Sequence, residues 1–400
     1  MKPTIQIASC LLVALASSVA AGPGAPVALG TQDPVETPRQ DSNGDEPTGD
    51  GETEGAASEL VLPRAPAGRW DAFFVDHQPN PEVLAKLSVQ VREHAERSQI
   101  AYASRRYTEA YDQALAALAL EPDLPSSLLM LGTTAFRLQR YADARLAFER
   151  FLEIAPAEDF RTLGLAHAYY SLGAYGEARD HYLRVLALLE GSFDARRGLG
   201  LALYRLGDSE GAVRELQAAL ALRPDSYEAH AWLSEVHFDA GALDQAEAAA
   251  ERAMELDPFD PRAFYTAFRV AFERGEDDQA DALEARWRVL TDHQAEVTAI
   301  ENRLLFRPDD VYLHFALLEA HSRMGDVNAL EAAAGQLLSL PSSGPELLER
   351  SLRVVELLRD GGAGAQAWAL VEKLVELYPD DVRLQVLKMR MAPADDAGEE

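Results

Sequence analysis

Along most of the chain, apolar residues return at helical spacing, and the stripes come in pairs. Leu128, Leu131 and Ala135 lie three and four residues apart, on one face of a helix. Arg140-Tyr141 marks a turn, and Ala144, Phe148 and Phe151 form a second stripe that Pro156 ends. The pair then recurs. Prolines stand at Pro122, Pro156, Pro224 and Pro258, spaced by multiples of 34, with Glu190 and Asp292 in the same register. Ala110, Ala144, Ala178, Ala212, Ala246 and Ala280 keep the interval, as do the small residues Ser98, Gly132, Ala166, Gly200 and Ser234, until Phe268 breaks the series. Gly173, Gly207, Gly241 and Gly275 fall at the turn between the two stripes, where glycine supplies backbone angles that a tight helix connection needs. A period of this length predicts an all-α array of antiparallel helix pairs in which each pair buries its apolar face against its neighbours.

The pattern also predicts where the array starts and falters. Residues 21–68 are rich in Gly, Pro, Thr, Asp and Glu, and 31–60 holds nine acids against one base, Arg39; too little apolar surface is present to offset ordering, so a disordered acidic linker is expected. The aromatic cluster Trp70, Phe73, Phe74 with Val75 suggests a leading cap over 69–90, with a helix from Pro81 to Arg97. Six units cover 91–294. Residues 295–310 do not fit the period: either the second helix of the sixth unit is unusually long, or a lone helix breaks the stack, with a bend or hinge near 288–310. Two further units and a capping helix fill 311–391, and an acidic tail closes 392–400.

The spacing resembles the tetratricopeptide repeat. Its marks are Leu131-Gly132, Ala144, Phe148 and Pro156; Leu165-Ala166, Tyr169, Ala178 and Tyr182; Leu199-Gly200, Ala212, Leu216 and Pro224; and Trp232-Leu233-Ser234, Ala246 and Pro258. The first copy is degenerate, with Arg97 at a leucine position. The resemblance implies a right-handed superhelical solenoid whose first helices line a concave groove, and a groove that holds an extended peptide or a partner helix. The chaperone-binding branch of the family uses a lysine and asparagine clamp; this chain has four lysines, Lys2, Lys86, Lys373 and Lys388, none in a groove register, so that clamp is rejected.

One feature belongs to this sequence itself. Tyr102, Phe136, Tyr170, Tyr204, Phe238 and Phe272 recur every 34 residues, late on each first helix. They can form an aromatic ladder for a partner or pack against the next repeat; packing is the favoured primary role. On the same face Arg137, His167, Arg197 and Arg205 suggest a positive patch suited to an acidic or C-terminal peptide, followed by Glu235, Asp239 and Glu273 with Arg269 among them. These aromatic and cationic positions are the partner-binding candidates.

Composition narrows the partners. The chain has 400 residues and a net charge of −29, from 37 basic and 66 acidic side chains, which disfavours nucleic acid and anionic membranes. Lys2, the apolar run of 5–19 and the small residues Ser18-Val19-Ala20 read as a signal peptide over 1–20, so an exported protein, periplasmic or extracellular, is expected. Cys10, the single cysteine, precedes most of that run; a lipobox needs the run before it, so no lipid anchor is expected there. His230 and His237 lie seven residues apart, as do His314 and His321, without a third ligand at metal spacing; no phosphate loop, nucleophile elbow or HExxH occurs. No cofactor, metal or catalytic activity is expected. The readings left are a scaffold or adaptor holding protein partners in its groove, or a structural component of a cell-envelope secretion or polysaccharide-export complex.

Overall fold

The computed structural model describes residues 60–66, 69, 74–75, 78–79, 81–154, 159–340 and 344–391. The signal segment, Cys10, Trp70, Phe73 and the acidic tail lie outside the described residues. Apart from the extended residues 60–66, the turns and a minimal antiparallel pair, β1 (Phe74–Val75) with β2 (Gln78–Pro79), the described residues are helical and join consecutive antiparallel pairs. The helices are α1 (Pro81–Ala85), α2 (Val89–Ala103), α3 (Tyr107–Leu120), α4 (Pro125–Arg137), α5 (Tyr141–Ile154), α6 (Asp159–Ser171), α7 (Tyr175–Leu188), α8 (Phe193–Arg205) and α9 (Ser209–Leu222). They continue as α10 (Tyr227–Asp239), α11 (Leu243–Leu256), α12 (Pro261–Arg274), α13 (Asp277–Phe306), α14 (Val311–Met324), α15 (Val327–Ser339), α16 (Gly344–Asp360), α17 (Gly364–Leu377) and α18 (Val382–Met391).

The helix expected from Pro81 to Arg97 is instead two, α1 and α2. Ser88 starts the second by accepting a hydrogen bond from Val91 N at 3.2 Å, while Leu87 beside it is buried, so a local cap and an apolar anchor break the run. The linker expected to be disordered through residue 68 gives way to structure earlier: 60–66 form an ordered extended segment laid against α5, held in part by Ala65 N, which donates to the Asp123 carboxylate at 2.7 Å.

The described residues fall into two compact units. The first holds residues up to Ala103 with Glu109–Gly211; the second holds Ser104–Thr108 with the chain from Ala212 onward. In the first unit the small positions of the repeat let rings interdigitate. A Cβ added to Gly132 would stand 2.7 Å from the Phe148 ring, so glycine leaves the space that Phe148 fills. Leu163, Ala166, Tyr170, Ala178, Tyr182, Val185, Ala195, Leu199 and Ala202 continue this packing through α6, α7 and α8.

The connection within each pair has a fixed conformation. Gly173, Gly207, Gly241 and Gly275 have φ of 73 to 84°, and the backbone closes as in Ala174 N to Tyr169 O at 3.0 Å and Glu276 N to Ala271 O at 3.0 Å. In the first two pairs the same register holds Arg105 and Gln139, at φ 58 and 59°. Those two turns carry the steric cost of a Cβ in the left-handed region, about 1 kcal/mol each.

In the second unit, residues 295–306 are not a separate helix. They continue α13, a single 30-residue helix, and the turn comes only at 307–310. Its first half packs on α12 through Ala280 and Leu290. Its last turns give Val297, Ile300 and Leu304 to the core that Leu313, Leu317, Leu330, Val354, Val371 and Leu384 build across α14 to α18. Asp310 then caps α14, accepting from Tyr312 N and Leu313 N.

Candidate partner-binding face

The aromatic column has a common geometric origin. Phe136, Tyr170, Tyr204, Phe238 and Phe272 each occupy the twelfth residue of α4, α6, α8, α10 and α12. That register places each ring beside the turn, and what it meets there depends on the first residue of the second helix.

In the first unit Phe136 and Tyr170 close their own hairpins. Phe136 meets Tyr141 edge-on at 5.4 Å, and Tyr170 meets Tyr175 edge-on at 5.2 Å. Tyr170 is only 6% exposed; Tyr102, Phe136 and Tyr204 are half-buried. Phe136 also touches the next first helix through His167, at 6.2 Å, and His167 in turn meets Tyr182 at 5.6 Å. Burial, and then the Arg197 charge, lower the His167 pKa to about 4, so this ring is neutral near pH 7. His167 therefore adds no charge to the positive patch read from the sequence. Arg197 lies 3.5 Å from Asp194 and packs over Phe193, half-buried Arg137 ends α4, and exposed Arg205 reaches over Tyr204 at 5.8 Å.

In the second unit Phe238 is half-buried and Phe272 opens toward solvent. The Arg269 guanidinium lies 3.8 Å over the Phe238 ring and bonds Asp239 at 3.0 Å. Tyr265, Phe268, Arg269 and Phe272 share one face of α12. Trp287 of α13 lies 4.8 Å from Tyr265 and parallel to Phe268 at 6.4 Å, while Phe268 meets Phe272 at 6.2 Å. Phe272 ends this aromatic step and is 65% exposed. The step was not read from the sequence, although its signal was there: Phe268 sits in the small-residue register. Sixteen residues on, where Phe148 fills the space left by Gly132, Glu284 stands, so here the first helix carries the ring and the second a charged side chain.

The histidines have local explanations. His230 Nε2 donates to the carbonyl of Pro224 at 3.1 Å and His314 Nε2 to that of Pro308 at 2.8 Å. Arg196 and Gln385 do the same for Glu190 and Pro379 at 3.2 and 3.1 Å, so this register satisfies the carbonyl at the end of the preceding repeat. His321 meets His293 edge-on at 5.4 Å. Among the described residues no cluster of three or more histidine, cysteine or carboxylate side chains could hold a metal, and no helix is long and apolar enough to cross a membrane.

The tetratricopeptide repeat model matches residues 96–159, 163–216 and 197–261, in phase with these helix pairs. Residues 96–261 are tetratricopeptide repeats. The solved structures similar to this chain include MamA 41-end from Desulfovibrio magneticus RS-1, 21% identical, covering 43% of this chain and 97% of that one, with a TM-score of 0.40. They also include YrrB, described as a TPR protein with an unusual peptide-binding site, at 20% identity, 46% and 91% coverage and a TM-score of 0.36. PilW, described as a widely conserved type IV pilus biogenesis factor, is 17% identical over 51% of this chain and 94% of its own, with a TM-score of 0.45. At these identities and scores no partner or activity passes from them to this chain. No curated protein matches the sequence.

Proposed function

We propose that this chain is a protein-interaction scaffold that holds an extended segment of a partner against the first-helix face of its repeats. The observation that carries the reading is Phe272: a large ring, 65% exposed, backed by Phe268, which in turn packs on Tyr265 and Trp287. A rigid exposed aromatic offers contact area at low entropic cost, which is how binding hot spots are built. Arg269 beside it is already matched by Asp239, so the step favours an apolar or aromatic side chain of the partner over an acidic one. The N-terminal sequence supports work outside the cytoplasm, because Lys2, the apolar run that follows and Ser18-Val19-Ala20 have the order of an export signal.

The test is selection of binding peptides from a random library against the full chain, followed by titration of the selected peptides against Phe272→Ala. A loss of about tenfold, the scale of a modest hot spot, is expected with helicity unchanged. Unchanged affinity for every selected peptide would remove this face as the binding site.

A further inference from the structure

A second place in the first unit has the features of a ligand site, on the side of α3 and α5. Asp123 stands in the turn between α3 and α4, at φ 56°, and is 4% exposed. Its Oδ2 accepts from Arg150 Nη2 at 2.6 Å and from Ala65 N at 2.7 Å. Arg150 is 7% exposed and also bonds Glu153. Two atoms of this node remain without a hydrogen-bond partner among the described residues, Asp123 Oδ1 and Arg150 Nε, and both are buried. A buried ion pair offsets its desolvation only when its remaining donor and acceptor sites are filled, so the node is incompletely served by the segment that covers it.

That segment is loosely fitted. Leu60 and Leu62 are half-buried, whereas Val61 between them is 83% exposed, an extended alternation. An open depression with room of about 300 Å³ lies between the segment and Leu146 and Arg150. Its charged ties lie at the surface: Arg69 reaches Glu121 through Nε and Nη2 at 3.0 and 2.9 Å, and Arg64 stands 3.9 Å from Glu153. Exposed pairs of this kind hold weakly.

We propose that residues 60–66 with Arg69 are a displaceable ligand bound in cis, and that the Asp123–Arg150 node with Leu146 is a second peptide site. The occupant it fits is an extended peptide with aliphatic residues two apart, followed by proline and arginine. The aliphatics fill the depression, a backbone N–H meets the Asp123 carboxylate, and the arginines meet Glu121 and Glu153. This site is separate from the aromatic step on α12 and does not depend on it.

The test uses the full chain and a labelled peptide with the sequence of residues 58–70. Leu60→Asp with Leu62→Asp removes the covering segment's anchors without touching the helices. The peptide is expected to bind this double variant at least tenfold more tightly than the unaltered chain. Glu121→Arg added to the double variant should weaken the peptide severalfold, and a peptide carrying Arg69→Glu should recover that loss, which locates it at this site. Equal binding to the double variant and the unaltered chain, no binding to either, or no response to the Glu121 and Arg69 exchange would each overturn the proposal.

Discussion

The hairpins α4–α5 and α12–α13 share a register and fill it in opposite ways. In α4–α5 the first helix supplies the gap, Gly132, and the second the ring, Phe148; the late aromatic Phe136 closes on Tyr141. In α12–α13 the first helix supplies the ring, Phe268, Trp287 stacks on it, and the residue in the register of Tyr141 is Asp277, which offers no ring to close on Phe272. The period therefore preserves helix positions rather than side-chain volumes. Where Tyr141 and Tyr175 follow the turn, the late ring closes on its own hairpin; where Asp277 follows it, Phe272 stays exposed.

The largest expected break in this comparison is at the ring. Phe148→Ala should cost about 3–4 kcal/mol, because its ring is buried against a glycine that cannot collapse into the void, whereas Glu284→Ala at the matching position should stay within about 0.5 kcal/mol. Urea denaturation with matched m-values measures both, and equal costs would show that the two hairpins are not filled differently.

Next in size is a pH effect at His167 in the first unit. The folded pKa of His167, about 4, lies below its ordinary value of 6.5, so the fold favours the neutral ring. The stability this contributes is complete above pH 6.5 and declines as pH falls toward 4, where the unfolded chain binds the proton and the folded one does not, by up to about 2–3 kcal/mol. His167→Leu should flatten that decline in stability measured from pH 7.5 to 4.5. The corresponding residue of α12 is Arg269 rather than a histidine, so Arg269→Leu should leave the pH slope unchanged.

Smaller again is the turn. Gln139→Gly should stabilise by about 0.5–1 kcal/mol by relieving a Cβ at φ 59°, and Gly275→Ala should destabilise by about 1 kcal/mol at φ 73°. Opposite signs in thermal melts would confirm that the same backbone is served by different residues. The smallest effect belongs to the arginines of the first unit. Arg197→Glu with Arg205→Glu is expected to weaken binding of an acidic peptide only a few-fold with circular dichroism unchanged, since His167 adds no charge and Asp194 already shares Arg197; unchanged binding would remove the patch as a recognition element.

Much of this was legible beforehand. Pro156, Ala144 and Gly132 announce a helix pair through spacing alone, and Gly173 to Gly275 announce its turn. The left-handed turn at Gln139 was hidden because glutamine carries no conformational signal there. The break between α1 and α2 was hidden because Ser88 acts as a cap only once Leu87 is anchored. The aromatic step was hidden because Phe268 read as a fault in a pattern until Trp287, 19 residues on, was seen lying parallel to it. The segment over α5 was hidden because its composition is that of a linker, and a single backbone bond to a buried carboxylate leaves no periodic trace.

By itself, then, the sequence determined the period, the all-α hairpins, the turn positions and the face on which aromatics recur, because helical spacing and glycine or proline punctuation are local and repeat without reference to partners distant in the chain. Only the tertiary structure decided which of those rings are closed and which are open, that α13 runs unbroken to Phe306, that His167 is neutral, and that 60–66 lie on the helices. Each of these depends on what packs against a residue from elsewhere in the chain, and burial and the charge of neighbours are properties of that assembled environment.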